Sequence, residues 1–146
     1  MFIEMLYFST RAEEVALTGW SEHQCRSFLT QQHRAQHYHY QTHYPAAQWL
    51  IVERDGERIG RLYLDEERDR VLIIDISLLP ASRGEGIGEA LLRDTLKWAG
   101  STGCAVSIHV EKSNRARHLY DRLGFGLVED KGVYDLMEWR MEQGAV

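Results

Sequence analysis

The chain is 146 residues long, 44% apolar and 27% charged, with a formal net charge of −5. Those values fit one soluble globular domain spanning residues 1–146 and exclude collagen-like, coiled-coil and disordered chains. Lys and Arg are scattered and outnumbered, which argues against nucleic acid as a partner, and apolar runs such as Val71-Leu72-Ile73-Ile74 are far shorter than the ~20 residues of a membrane-spanning helix.

Phe2, Met5, Leu6, Ala12, Val15 and Ala16 largely keep the three-and-four spacing of an amphipathic helix, which Thr18-Gly19 ends. Ser21-Glu22-His23-Gln24 is a capping-box pattern and opens a second helix that stops before Pro45. Trp49–Arg54 and Arg58–Asp65 read as strands joined through Asp55-Gly56, a strong hairpin signal. Val71–Leu79 is a longer apolar strand, expected to be central and buried on both faces. A helix over Gly86–Ala99 turns Ile87, Leu91, Leu92, Leu96 and Trp98 inward, and Ala105–Val110 returns as a strand. Ser113 is placed to cap a helix ending near Leu123, and Phe125–Glu129 and Val133–Met141 form a last hairpin. The order predicts one α/β (α+β) domain with a mixed sheet flanked by helices.

The most informative segment joins the long strand to its helix: Pro80-Ala81-Ser82-Arg83-Gly84-Glu85-Gly86-Ile87-Gly88. Glycines at alternate positions permit close backbone approach. The start of a helix offers free N–H groups and a favourable dipole to an anion, and Arg83 could add a charged contact. The loop therefore reads either as a phosphate cradle or as a flexible turn. No Gly-Lys-Ser/Thr follows, so it is not a P-loop, and Glu89 stands where a dinucleotide fingerprint needs glycine.

Arg83, Gly86 and Gly88 form Arg-x-x-Gly-x-Gly, which resembles motif A of the GNAT superfamily of acetyl-CoA-dependent N-acetyltransferases. A second segment agrees: Asn114-Arg115-Ala116-Arg117-His118-Leu119-Tyr120, followed by Gly124-Phe125, is similar to that family's motif B. The resemblance covers Gln48 to Arg140 well and the helical first third loosely. It implies a mixed, mostly antiparallel sheet whose strands splay at the CoA site. It also implies acetyl-CoA as cosubstrate, with the pyrophosphate on the backbone amides of Gly84, Gly86, Ile87, Gly88 and Glu89 and Arg83 nearby. The backbones of Ile76, Leu78 and Leu79 would pair with the pantetheine arm, Asn114 would contact that arm or its helix, and Tyr120 would sit beside the sulfur. The family fold usually begins with a strand, whereas this chain opens in a helix. Either Ile3–Phe8 is a strand, or the start lies further upstream, or a partner covers the open edge; an uncovered edge favours a homodimer.

The chemistry expected is direct attack of a neutral amine on the thioester, with a backbone N–H near Ile76 for the oxyanion and Tyr120 as general acid. Some members carry a catalytic Glu on the motif-A strand where this chain has Leu72, which favours a water relay. Asp75, Glu111, Glu53 and Tyr44 are the candidate bases. His33, His37, His39 and His43, interleaved with Tyr38, Tyr40 and Tyr44, read as a solvated helix face or one wall of an acceptor pocket. The histidine pairs do not share one face and no metal is expected. Cys25 and Cys104 have no activating partner in sequence. Trp49 and Trp98 are expected in the core. The acceptor is a small-molecule or peptide amine. The first stretch has no basic flank and carries Glu4, so it does not read as a signal peptide, and a cytoplasmic location is expected.

Overall fold

A computed structural model describes residues 2–141. Within them lie α1 (Phe2–Ala16), α2 (Glu22–His43), β1 (Gln48–Arg54), β2 (Glu57–Glu66), β3 (Arg70–Leu78), α3 (Ile87–Ser101), β4 (Ala105–Glu111), α4 (Arg117–Leu123), β5 (Gly126–Lys131) and β6 (Tyr134–Trp139). A single 3₁₀ turn, Pro80–Ser82, leads from β3 toward α3. The capping box at α2 is complete: the Gln24 N–H donates to Ser21 Oγ at 3.1 Å and the Ser21 N–H donates to Gln24 Oε1 at 2.9 Å. Asp55 and Gly56 both take positive φ (52° and 82°), as a two-residue hairpin with the twist of its strands requires.

The sheet runs β1-β2-β3-β4-β6-β5, and every neighbouring pair is antiparallel except β3–β4. One face carries the main core, where Leu62, Leu64, Val71, Ile73, Val106, Ile108 and Met137 pack against Leu92 and Leu96 of α3 and Tyr120 of α4. The other face carries α1 and α2, with Leu6, Tyr7 and Leu29 buried. Ile3–Phe8 lies within α1, so among the described residues β1 is the outermost strand on its side of the sheet.

Two helix faces differ from the pattern reading. Met5 is 53% exposed while Tyr7 is buried, because the stripe on α1 that meets the sheet is narrow and centred on Leu6-Tyr7. On α3 the buried residues are Leu92, Thr95, Leu96 and Ala99, and Trp98 is 39% exposed. Thr95 reaches the core because its hydroxyl donates to the Leu91 carbonyl at 2.8 Å, which satisfies its one polar group inside the helix. Trp49, also expected inside, is half-exposed on β1 and packs edge-on against Tyr63. β3 is fully buried only over Val71–Ile73.

β3 also contains a bulge. Tyr63 pairs with Asp75 but Leu64 pairs with Ile73, so Ile74 is an extra residue. An inserted residue moves every later side chain to the opposite face. Ile73 and, beyond the bulge, Ile76 therefore both reach the α3 core, while Asp75 and Ser77 turn to the α1–α2 face.

Beside this stretch β2 narrows to Gly60. A Cβ there would fall inside contact distance of the Ser77 carbonyl oxygen and 2.7 Å from Leu78 Cδ2. Gly60→Ala is expected to cost about 1–3 kcal/mol through overpacking, read as a lower midpoint in urea at unchanged slope; wild-type stability would show that β3 can yield there.

Candidate active site

The parallel β3–β4 ladder stops at Ile73↔Ile108. Beyond it β3 stays on β2 as far as Leu78, and β4 stays on β6 as far as Glu111. The two strands thus part, and a V-shaped opening lies between Ile74–Leu78 and His109–Glu111. The splay expected from the family resemblance is present.

The ladder on the far side of β3 fixes which backbone groups face this opening. The Leu79 N–H donates to the Ile59 carbonyl at 2.7 Å, across the Gly60↔Leu78 pair. Such a flanking bond marks a pair whose own N–H and C=O point away from each other. Those of Leu78, and two residues back those of Ile76, are accordingly directed into the opening. Leu79 differs from the expectation, because its N–H is already spent on β2. The Leu78 carbonyl accepts from Arg83 Nε at 2.9 Å.

At the head of the opening lies the glycine loop. Gly84 and Gly86 have φ of 77° and 81°, the left-handed region that a side chain resists, and Gly86 is the N-cap of α3. Gly88 has no such requirement; a Cβ there would meet only Leu78 Cδ1, at 4.0 Å, so its smallness leaves open room in front of the helix end. The Ala90 N–H makes the bond to the Gly86 carbonyl, at 3.0 Å, so the N–H groups of Ile87, Gly88 and Glu89 precede the helical ladder and project from its end. Glu85 is drawn aside into an ion pair with Arg54 of β1. Arg83, expected near the anion, is held back on β3 by its bond to Leu78.

α4 brings Tyr120 to the same face. Its start differs from the expected Ser113 cap: Asn114 Oδ1 accepts the Ala116 N–H at 2.8 Å, and the Arg117 N–H donates to the Asn114 carbonyl at 3.0 Å. Asn114 thus shapes the turn into the helix and keeps its side-chain NH₂ for other partners. Arg117 Nη1 meets the buried Asp135 carboxylate of β6 at 2.5 Å and ties the helix to the sheet. Tyr120 is 4% exposed and packs edge-on against Phe125, with ring centroids 5.6 Å apart. Burial first, and the charge of Asp75 second, push its phenol up to about 12.

On the α1–α2 face the opening is bordered by a polar network that no motif announces. Arg61, 3% exposed, is ion-paired with Asp75, with Nε 2.9 Å from Oδ2. Arg61 Nη2 also donates to Gln36 Oε1 at 2.9 Å, and Ser77 Oγ donates to Asp75 Oδ1 at 2.7 Å. The Arg61 guanidinium lies over the Tyr63 ring, 4.7 Å from its centroid. Both Asp75 oxygens are therefore engaged, Oδ2 by Arg61 and Oδ1 by Ser77. Glu111 borders the opening on β4 and accepts from the Tyr134 hydroxyl at 3.3 Å. Glu53 lies on β1, with β2 between it and β3. Tyr44 caps the C-terminal end of α2, next to the β1 end of the sheet. Those two candidates are not brought to the opening.

The histidine and tyrosine cluster divides by face. His33, Gln36, Tyr40 and Tyr44 form the partly buried stripe of α2, and His37, Tyr38, His39 and His43 are exposed. His33 stands 5.3 Å from the Tyr7 ring, and burial first, then the charge of Arg61, lowers its pKa. Tyr40 packs among Trp49 and Tyr63, and burial raises its pKa strongly. Arg61 and Gln36 escaped sequence reading because neither belongs to a motif; the one available signal was a lone arginine within the alternating Ile59, Tyr63 face of β2.

The acetyltransferase (GNAT) family model matches residues 16–125, more than half of the chain and both loop motifs. The chain belongs to the GNAT acetyltransferase family. It is an acyltransferase, an N-acetyltransferase that moves the acetyl group of acetyl-CoA to an amine. A provisional ribosomal protein bS18-alanine N-acetyltransferase of Bacillus subtilis (strain 168) is 29% identical over 105 residues, covering 70% of each chain. The fold is shared with the PaiA N-acetyltransferase from Thermoplasma acidophilum in complex with coenzyme A, at TM-score 0.70 and 19% identity over 96% of this chain and 91% of that one. A GNAT acetyltransferase from Elizabethkingia anophelis with acetyl-CoA bound is similar at TM-score 0.62 and 17% identity, covering 71% of this chain and 82% of that one. Among the described residues no helix is long and apolar enough to cross a membrane.

The influence of Asp75 on Tyr120 gives a signed prediction. Asp75→Asn removes a negative charge that disfavours the phenolate, so the Tyr120 pKa should fall below about 12 yet stay above the ordinary 10, because burial is the larger cause. A difference titration of tyrosine absorbance against a Tyr120→Phe background reads it, and an unchanged or higher value would show that the two groups are not coupled.

Proposed function

We propose that GNAT transfer in this chain runs through the opening between β3 and β4, with the thioester beside Ile76 and Tyr120. What supports this is that the Ile76 N–H faces the split in the sheet, that the N–H end of α3 follows the same strand, and that the buried Tyr120 phenol feels the charge of Asp75 on that strand. The amides of Gly84, Gly86, Ile87, Gly88 and Glu89 take the pyrophosphate, and Ile76 and Leu78 take the pantetheine arm by backbone pairing. Asn114 supports that arm through its free NH₂, and Arg83 acts by fixing the Leu78 carbonyl. Leu79 contributes through its side chain only.

The acceptor must arrive as a neutral amine. Its nitrogen forms a bond to the acetyl carbon, the carbonyl electrons move onto oxygen, and the Ile76 N–H stabilises the oxyanion. Collapse breaks the C–S bond and releases a thiolate. Tyr120, at about 12, holds its proton at neutral pH. A thiol of ordinary pKa ~8.5 lies roughly 3–4 units lower, so complete transfer from the phenol to the thiolate is uphill by about 4–5 kcal/mol. Tyr120 therefore serves mainly as a hydrogen-bond donor to the leaving sulfur. The proton that finally protonates it comes from the new N–H⁺ of the acceptor, relayed through the hydroxyl or water.

The same arithmetic bears on the acceptor. At pH 7 a lysine-like amine of pKa ~10.4 costs about 4–5 kcal/mol to neutralise, and an α-amine of pKa ~7.8 about 1 kcal/mol. With Asp75 pinned by Arg61 and Glu111 engaged by Tyr134, a peptide α-amine is the acceptor this site serves best. The activity in the name of the Bacillus subtilis relative, on a protein alanine, supports that reading. The protein acts where acetyl-CoA is available, in the cytoplasm. The open edge of β1, with Trp49, Leu50 and Ile51 each more than a third exposed, suits pairing with a second copy.

Two measurements test this. Tyr120→Phe should lower kcat by about a hundredfold, the weight of one oxyanion-type donor, while acetyl-CoA affinity stays near wild type; unchanged kcat would remove Tyr120 from the reaction. With peptides offering either amine, the rate with an α-amine should level off near pH 8, whereas the rate with a lysine side chain should keep rising toward pH 10. Preference for lysine at pH 7 would show that a dedicated base operates.

A further inference from the structure

The two edges of the sheet are built differently. β5, at one end, carries Glu129, Asp130 and Lys131, and a bulge at Val128 interrupts its ladder to β6. Charges and a bulge are the usual means of keeping an edge from pairing with another chain. β1, at the other end, reads Gln48-Trp49-Leu50-Ile51-Val52, with no charge and no proline. Its ladder to β2 keeps one register over that stretch and shifts only between Val52 and Glu53. Trp49, Leu50 and Ile51 remain exposed on it.

The phase of the β2 ladder shows which groups of this edge are free. The N–H and C=O of Gly60 and Leu62 turn away from β3, as those of Leu78 and Ile76 opposite them do, and so face β1. Their partners there are Val52 and Leu50, whose backbone groups are therefore spent on β2. Those of Trp49 and Ile51 alternate with them and point outward, with no strand beyond among the described residues. The side chains alternate as well. Trp49 and Ile51 lie on the α2 face, where the Trp49 ring stacks 6.4 Å from Tyr40 and meets Tyr63 edge-on at 4.8 Å. Leu50 and Val52 lie on the other face, where Val52 packs against the α3 core.

What fits this edge is an uncharged antiparallel strand, and the edge itself is one. At a net charge of −5 two copies repel in general, so they approach at least cost where neither bears a charge. We infer that β1 pairs with β1 of a second copy about a two-fold axis at Leu50, the centre of the regular stretch. This deepens the pairing with a second copy proposed above and rests on it. In that register Trp49 of each copy faces Ile51 of the other, and the two exchange both N–H···O bonds. Leu50 meets its own counterpart on the opposite face. Glu53 and Arg54 fall opposite Ala47 and Ala46, so no like charges oppose each other. An axis at Ile51 would instead set Glu53 against Trp49. The interface is isologous and closes at two copies, with one sheet continuous across both.

Sedimentation of the full chain over a concentration series reads the assembly. The wild type should be a dimer that dissociates on dilution. Leu50→Lys places two ammonium groups face to face on the axis and should raise the dimer Kd about a hundredfold or more. Ile51→Pro removes an outward N–H, a change that an edge strand tolerates, and should raise it about tenfold or more. Both variants should keep wild-type acetyl transfer per chain, because β2 and β3 separate β1 from the split. Oxidation reads the register. Opposite residues of a non-hydrogen-bonded antiparallel pair have Cα atoms about 4.5 Å apart, within disulfide range. Leu50→Cys should therefore close a bridged dimer, mapped by mass spectrometry to position 50 of both copies. Val52→Cys, displaced from its counterpart by roughly 13 Å along the strands, should not. A wild type that stays monomeric at every concentration overturns the pairing itself and this inference with it. A dimer that survives both Leu50→Lys and Ile51→Pro shows that the copies meet elsewhere, and the inference fails. A dimer that those variants break, but that bridges through Val52→Cys and not through Leu50→Cys, overturns the axis at Leu50 alone.

Discussion

Backbone N–H and C=O groups inside a sheet must be paired, and this fold breaks that rule at one place. The β3–β4 ladder ends after Ile73, and the N–H and C=O of Ile76 and the N–H of Leu78 are left facing a gap, while the Leu78 carbonyl is taken by Arg83. A gap of that kind would close if either strand were free to move. Neither is, because β3 is paired with β2 from Val71 to Leu78 except at the bulge, and β4 with β6 from Val106 to Glu111. The Ile74 bulge supplies the bend, and Gly60 lets β2 follow β3 closely after it. The unpaired edge is thus held open by pairing on both of its outer sides, ready for an extended ligand with its own amides. Such an arrangement binds by adding a strand, at little cost in rearrangement.

The same bulge sets the electrostatics. It sends Asp75 to the α1–α2 face, where Arg61 and Ser77 take up its oxygens. A buried pair of this kind contributes little net stability when intact and costs heavily when one partner is lost, so its main effect is to fix geometry. Here it fixes the split end of β3 against α2 through Gln36. It also places a fixed negative charge within reach of Tyr120 through the opening, and so helps keep the phenol protonated. On the opposite face the ion pairs of Glu89 with Arg93 and Arg122 are exposed to solvent.

Both loop motifs were readable in sequence because their chemistry depends on residue type. Gly84 and Gly86 need positive φ, Gly88 needs to leave space, and Asn114 and Tyr120 carry particular functional groups. The succession of elements along the chain, the hairpin at Asp55-Gly56 and the capping box at Ser21 followed from local rules of the same kind. What escaped was whatever depended on counting residues across a register shift. The period-two pattern left the facing of Asp75 open, and nothing in Ile73-Ile74-Asp75 announces which residue is extra. Without that shift the Arg61–Asp75 pair cannot be inferred, nor the engagement of both Asp75 oxygens. Ser113 reads as a cap in sequence, but α4 starts later, with Ala116 at its N-cap and Asn114 Oδ1 accepting the Ala116 N–H in the turn before it. Trp98 and Met5 were placed inward by spacing, but a helix on a sheet buries a narrow stripe, and these two lie at its margin.

The position of the opening also decides between direct transfer and a covalent acyl-enzyme. A covalent route needs a nucleophile within bonding distance of the thioester carbon. Cys104 precedes β4 and lies before the last paired residue, Ile108, so at roughly 3.3 Å per residue it is more than 10 Å along the strand from the split. Cys25 lies near the start of α2, with its thiol against the Val15 and Trp20 carbonyls. Neither can reach a thioester beside Ile76 and Tyr120. The opening, in contrast, is bordered by α3 and α4 on one face and by α1 and α2 on the other. In the site proposed above, a cosubstrate bound from the first face and an amine entering from the second would meet at the split without passing each other, and such a two-sided site makes a ternary complex the economical route.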